Sequence, residues 1–216
     1  MDGQMPGEQV ASDYVRVRAQ TEALSAPLSA EDQAAQSMAD ASPTKWHRAH
    51  TTWFFETFVL EPAGVGGLSP APYSVLFNSY YNAVGEQFDR PSRGLLTRPS
   101  HDEVTEYRER VDAAMLEQLG HGLSADLLDR IEVGLHHEQQ HQELLLTDIK
   151  HLLSRNPLDP AYAPAPPGFD GAQDSPALRW ARHEGGVVRI GSEPGCYCFD
   201  NEGPAHDTLL HPFRMA

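Results

Sequence analysis

From about residue 10 to residue 154, apolar positions recur at spacings of three and four, the period of helices that bury one face. The pattern predicts a helix over 13–25. Ser42 followed by Pro43 reads as an N-cap with Pro at the first helical position. The helix it opens runs over 44–60 without Gly or Pro, and Pro62 and Gly64 stop it. Ser100 with Glu103 three residues on is a capping box. Val104, Tyr107, Val111 and Met115 follow at helical spacing, and Gly120 ends that run. Ser124 opens a long helix reaching about residue 154, with Asn156-Pro157 as its stop. Four principal helices and one long loop over 61–99 predict a mainly α fold, an antiparallel four-helix bundle over 10–155.

The pattern then changes. Residues 156–177 are rich in Pro and Gly, a composition that favours extended chain and reads as a linker. Over 178–216 the expectation is a short, incomplete β-rich segment. Its strands are Arg179-Trp-Ala-Arg and Val187-Val-Arg-Ile on either side of Gly185-Gly186, with a Gly/Pro-rich tail after them. The two cysteines, Cys196 and Cys198, stand one residue apart. A disulfide across one residue is strained, so they read as reduced thiols of a cytoplasmic protein.

Charge narrows the function classes. The 216 residues carry 31 acidic and 16 basic side chains, a formal charge of −15. Such a surface repels phosphate backbones and anionic lipid headgroups, which argues against nucleic-acid and membrane partners. No apolar run approaches the roughly 20 residues that span a bilayer, and the polar first residues do not read as a secretion signal.

The last long helix contains Leu135-His-His137-Glu-Gln-Gln-His141. His137 and His141, four apart, lie about 40° apart around a helix and about 6 Å apart along it. Two imidazoles so placed can aim at one ion about 2 Å from each. Apolar neighbours above and below place the pair toward the interior, where unpaired histidines are costly and a metal relieves the cost. The H-E-x-x-H spacing also occurs in zinc proteases, but Leu144 and Thr147 stand where one class needs Gly and His. No Glu follows Glu143 until Glu184, and the helix runs on unbroken. In the second helix, Trp46, His50, Trp53, Phe54 and Thr57 share one face, which makes His50 the candidate third ligand. His47 reads as facing a more polar side. Three neutral imidazole nitrogens suit iron(II), zinc or copper, and the ligands alone do not choose. His136 reads as surface or supporting, and His151 as too far along the axis to share the ion. Glu138 and Glu143 are candidate acceptors for the ring N–H groups, or plain solvated charges.

Residues 42–58 (Ser-Pro-Thr-Lys-Trp-His-Arg-Ala-His-Thr-Thr-Trp-Phe-Phe-Glu-Thr-Phe) and 135–151 together resemble the sulfoxide synthases of ergothioneine biosynthesis. Phe77-Asn-Ser-Tyr-Tyr-Asn-Ala-Val-Gly and Arg93-Gly-Leu-Leu-Thr-Arg-Pro are similar too. The resemblance runs from about residue 14 to the end. It implies a DinB-like helical bundle joined to a formylglycine-generating-enzyme-like domain. It implies iron(II) as cofactor and O2 as oxidant, joining a cysteine-type thiol, cysteine or γ-glutamylcysteine, to C2 of the hercynine imidazole. By that resemblance the iron ligands fall on His50, His137 and His141. Gln140 matches the residue that contacts the histidine-type substrate. Arg90 and Arg93 match the arginines that bind the thiol substrate, and a guanidinium suits its carboxylate. The family's second domain is longer than 178–216, and its catalytic tyrosine belongs to the part beyond, so the catalytic residue stays unassigned. Two alternatives stay open: a partial or inactive metal-binding bundle, and a DinB-like metal-dependent thiol transferase.

Overall fold

A computed structural model of the chain describes residues 7–165, 177–193, 195 and 197–216. The chain divides into two units, one helical and ending at Pro164, the other beginning at Ala165.

Helix α1 (Gly7–Ser25) starts earlier than the sequence pattern suggested. Its stripe of Val10, Tyr14, Val17 and Thr21 is buried, so the apolar face begins before residue 13. A short α2 (Ala30–Ala34) follows, closed by a capping box between Ser29 and Asp32. Helix α3 (Thr44–Phe55) is N-capped by Pro43 with no side-chain cap bond. Ser42 is committed elsewhere: its N–H donates to Asp148 and its hydroxyl accepts from Arg93. Past Phe55 the helix widens into a π-turn (Glu56–Leu60). The long loop after it is built rather than loose. It holds a one-turn helix α4 (Tyr73–Leu76) and a 3-10 segment (Arg90–Leu95). Helix α5 (His101–His121) opens on the Ser100–Glu103 capping box and passes through Gly120. It stops at Gly122, whose φ of 83° suits a residue without Cβ. Helix α6 (Ala125–Ser154) is the longest.

These helices make the fold mainly α. α1 and α3 each lie against both α5 and α6. Between them Tyr14, Trp46, Trp53, Phe55, Tyr107, Val111, Met115 and Ile131 form one apolar cluster. Each such side chain, fully buried, contributes roughly 1.5–3 kcal/mol. Gly134 sets the distance between α3 and α6. A Cβ there would stand 2.6 Å from Phe55 Cε1 and 2.9 Å from Phe54 Cε1, so only glycine lets the two backbones come this close. Across the other side of the helices, Glu138 is wholly buried and bonded by Arg18 (2.9 Å), Arg108 (2.6 Å) and Thr21 (2.6 Å).

The first part of the stretch read as a linker belongs to the helical unit. Tyr162 donates to the Leu24 carbonyl and packs on Leu28, Leu145 and Ile149. The rest of that reading, over 166–176, lies outside the described residues, as does Cys196. Cys198 is a free thiol, half-buried.

The second unit holds β1 (Ala181–His183), β2 (Gly186–Ile190), β3 (His206–Leu210) and β4 (Phe213–Met215). The strands either side of Gly185-Gly186 do not pair with each other. β1 pairs with β4 and β2 with β3, both antiparallel. The Gly/Pro-rich tail supplies both partner strands. Among the described residues no helix is long and apolar enough to cross a membrane.

Candidate metal centre

Helix α3 supplies His50 and helix α6 supplies His137 and His141, one turn apart. One ring nitrogen from each lies within 4.8 Å of the other two. Nε2 of His50 is 3.1 Å from Nε2 of His137. Two nitrogens each about 2.1 Å from one ion stand about 3.0–3.4 Å apart at octahedral or tetrahedral angles, so the spacing fits a shared cation. The ring of His141 lies 4.6 Å, centre to centre, from both. The trio predicted from periodicity is therefore brought together.

The protonation states also fit. His50 is 1% exposed, and burial pushes its pKa well below the ordinary value, helped by the charge His137 would carry. Burial lowers His137 to about 4 and His141 well below the usual range. All three rings are neutral near pH 7, the form that ligates a metal. His50 Nδ1 lies 2.5 Å from the Phe77 carbonyl oxygen, which can only accept, so the proton sits there and Nε2 is left bare. His137 Nδ1 is buried without a hydrogen-bond partner. The bare Nε2 of His50, 3.1 Å from Nε2 of His137, is the contact that two histidines show when both nitrogens face one cation.

Aromatic rings wall the cluster and lower its dielectric. Trp46 stacks on His50 at 4.6 Å, Trp53 on His50 at 5.8 Å, and Phe54 packs at 4.9 Å from His137. Tyr81, from the long loop, lies 6.5 Å from His50 and 6.4 Å from His137.

The loop also delivers Arg93, 3% exposed. Its guanidinium sits 3.4 Å over the Trp46 ring and donates to Ser42 (2.9 Å) and Ser79 (3.1 Å). Nε has no partner, and among the described residues Arg93 forms no ion pair. Burial, reinforced by the charge of Arg90, lowers its pKa to about 10. A buried cation held by two hydroxyls and an indole face is a binding position for an anion. Arg90 is half-buried, with its guanidinium 5.2 Å from the Tyr80 ring. Gln140 is exposed on α6 between the two ligand positions.

Two supporting readings change. His47 does not face a polar side: it is 3% exposed, with Nδ1 2.8 Å from His141 Nδ1 and Nε2 3.0 Å from Asp148 Oδ2. The face of α3 that carries it is covered by α6. Asp148 follows His141 by seven residues, so the two share a stripe of α6; that spacing was the available signal. Glu138 touches no ligand histidine, because Arg18, Arg108 and Thr21 take its oxygens, and Glu143 is exposed. His136 is half-buried, and His151 bonds Ser37 at 2.8 Å.

No family model matches the chain, and no curated protein matches it.

Proposed function

We propose that this chain carries the iron(II) centre of a non-haem, O2-using sulfoxide synthase of ergothioneine biosynthesis. Convergence of His50, His137 and His141 on one point carries the reading. The neighbouring Arg93, cationic and among the described residues paired with no carboxylate, supports it. In this reading the helical unit is a DinB-like antiparallel four-helix bundle. Residues 178–216 begin a formylglycine-generating-enzyme-like domain, and the protein works in the cytoplasm without nucleic-acid or membrane partners.

The reaction joins a thiol R–SH to an imidazole C–H and consumes one O2. One oxygen atom ends in the sulfoxide and the other leaves in water, so the two hydrogens and four electrons balance. Iron(II) held by the three histidines would supply O2 activation and sulfur oxidation. The chain's own residues do the rest. Arg93 receives the carboxylate of the thiol substrate while Ser42, Ser79 and Trp46 keep the guanidinium in place. Arg90, near Tyr80, extends the positive edge of that position. Gln140, between the two α6 ligands, hydrogen-bonds the trimethylhistidine. Trp46, Trp53 and Phe54 exclude water from the histidine cluster and fix the ring planes.

The test is anaerobic loading with iron(II), then O2 uptake in the presence of hercynine and cysteine or γ-glutamylcysteine. Uptake that needs both substrates and disappears in His137→Ala is the expected result. Uptake indifferent to His137→Ala overturns the reading. A protein that retains zinc rather than iron when both are offered, and moves a thiol without consuming O2, is instead a DinB-like thiol transferase.

A further inference from the structure

We propose that His47 and Asp148 are positioning residues for the ligand His141: they hold its ring as the Nδ1–H tautomer and leave Nε2 bare for the ion. The inference rests on the metal-site reading and adds two residues to it.

The protons can be followed atom by atom. Oδ2 of Asp148 accepts the Ser42 N–H at 2.8 Å and lies 3.0 Å from His47 Nε2. A carboxylate only accepts, so the proton of His47 is on Nε2. His47 is 3% exposed, and each of its ring nitrogens already has one partner, Asp148 at Nε2 and His141 at Nδ1. A neutral ring has one proton, so His47 Nδ1 is bare. It stands 2.8 Å from His141 Nδ1. A contact that short needs one proton between the two nitrogens, and only His141 can supply it. Neutral His141 then presents a bare Nε2. Hydrogen bonds of this kind to the far nitrogen of a ligand ring fix its tautomer and orientation. His50 gets the same service from the Phe77 carbonyl. His137 has no such partner, so two of the three ligand rings are locked and the third is held by packing alone.

The relay has a conservative replacement. In His47→Gln the amide oxygen can accept from His141 while the NH2 group donates to Asp148. His47→Leu fills similar space and can do neither. Long-range proton–nitrogen NMR of the metal-free full chain near neutral pH reads the tautomers directly. The expected result is His141 protonated on Nδ1 and His47 on Nε2. Cobalt(II) titration, followed by its visible bands, should give binding roughly 10–100-fold weaker in His47→Leu and within a few-fold of the parent in His47→Gln. A role in packing alone would not rank Gln above Leu. A proton on Nε2 of His141 in the metal-free chain overturns the proposal, as does His47→Gln binding cobalt as weakly as His47→Leu. The NMR result decides the matter if His47→Leu does not fold. Should His50→Ala bind cobalt as the parent does, the metal centre itself falls. Should His50→Ala lose cobalt while His47→Leu keeps it, only the relay falls.

Discussion

Nε2 of His50 faces Nε2 of His137 at 3.1 Å across the α3–α6 contact. His50 Nδ1 is already engaged with the Phe77 carbonyl, so His50 brings only a lone pair to this contact. Without an ion, His137 must turn its own proton toward His50 and leave Nδ1 bare in a buried position that offers no donor. With an ion both Nε2 lone pairs are used and the proton of His137 sits on Nδ1, which has no hydrogen-bond partner in either form. Removing His137 should therefore cost binding far more than folding. His137→Ala is expected to weaken cobalt(II) or iron(II) binding about a hundredfold or more, the share of one ligand in a site worth roughly 10 kcal/mol. Far-ultraviolet circular dichroism of the metal-free variant should match the parent. Unchanged affinity, or loss of helicity, would contradict this account.

Arg93 is expected to act on the substrate and not on the metal. Its guanidinium is buried over Trp46 and spends two donors on serines, with Nε unused. Charge-assisted bonds to a carboxylate are worth roughly 1.5–3 kcal/mol. Arg93→Leu should therefore raise the Kd for a thiol-bearing amino acid roughly tenfold to a hundredfold. The readout is the thiolate-to-cobalt absorption that appears as the thiol is added. Cobalt affinity in the absence of thiol should stay within a few-fold. A variant that lost cobalt and thiol together would place Arg93 in the fold of the site instead.

The parts of the fold visible in the chain are those governed by local period. Val104, Tyr107, Val111 and Met115 announce α5, and His137 and His141 announce each other, because helical spacing alone makes them neighbours. His50 was legible because apolar residues flank it on its own face. His47 was not, since its environment is made by α6 and by Asp148, 101 positions away. Helix α2 is five residues long, too short for a period, although Ser29 and Asp32 carried its cap. The pairing of β1 with β4 joins strands of three residues across the whole second unit, and nothing local encodes it. Glu138 looked like a solvated or supporting charge beside His137. Its partners Arg18 and Arg108 sit on two other helices.

That Glu138 cluster has a pH signature. Burial alone would raise the Glu138 carboxyl, but Arg108 and Arg18 outweigh it and hold it at about 2, against an ordinary 4.5. Between those values the unfolded chain binds a proton that the folded chain does not, so stability rises with pH. The stabilisation is fully present above 4.5 and is lost as pH falls through about 2. Glu138→Gln leaves two buried arginines undercompensated and should cost roughly 3–5 kcal/mol at neutral pH. Urea unfolding at a series of pH values should show that deficit shrinking below 4.5 and small near 2. A deficit constant across the whole range would mean that the charge of Glu138 does not matter.

Gly134 tests whether the distance between α3 and α6 sets the site. A methyl group at this position meets Phe55 Cε1 at 2.6 Å and Phe54 Cε1 at 2.9 Å. Both rings are buried. Overpacking of this kind costs typically 1–3 kcal/mol, more than the roughly 1 kcal/mol that alanine gains over glycine inside a helix. The strain is relieved most simply by α6 moving away from α3, one turn before His137. Gly134→Ala should therefore lower the unfolding midpoint and also weaken cobalt binding by several-fold, although the alanine touches no ligand. His50 and His137 come from the two helices being pushed apart, whereas His137 and His141 share one helix and keep their spacing. The residual cobalt spectrum should accordingly resemble that of His50→Ala more than that of His141→Ala. A Gly134→Ala protein that unfolds earlier but binds cobalt like the parent would show that the histidines tolerate the displacement.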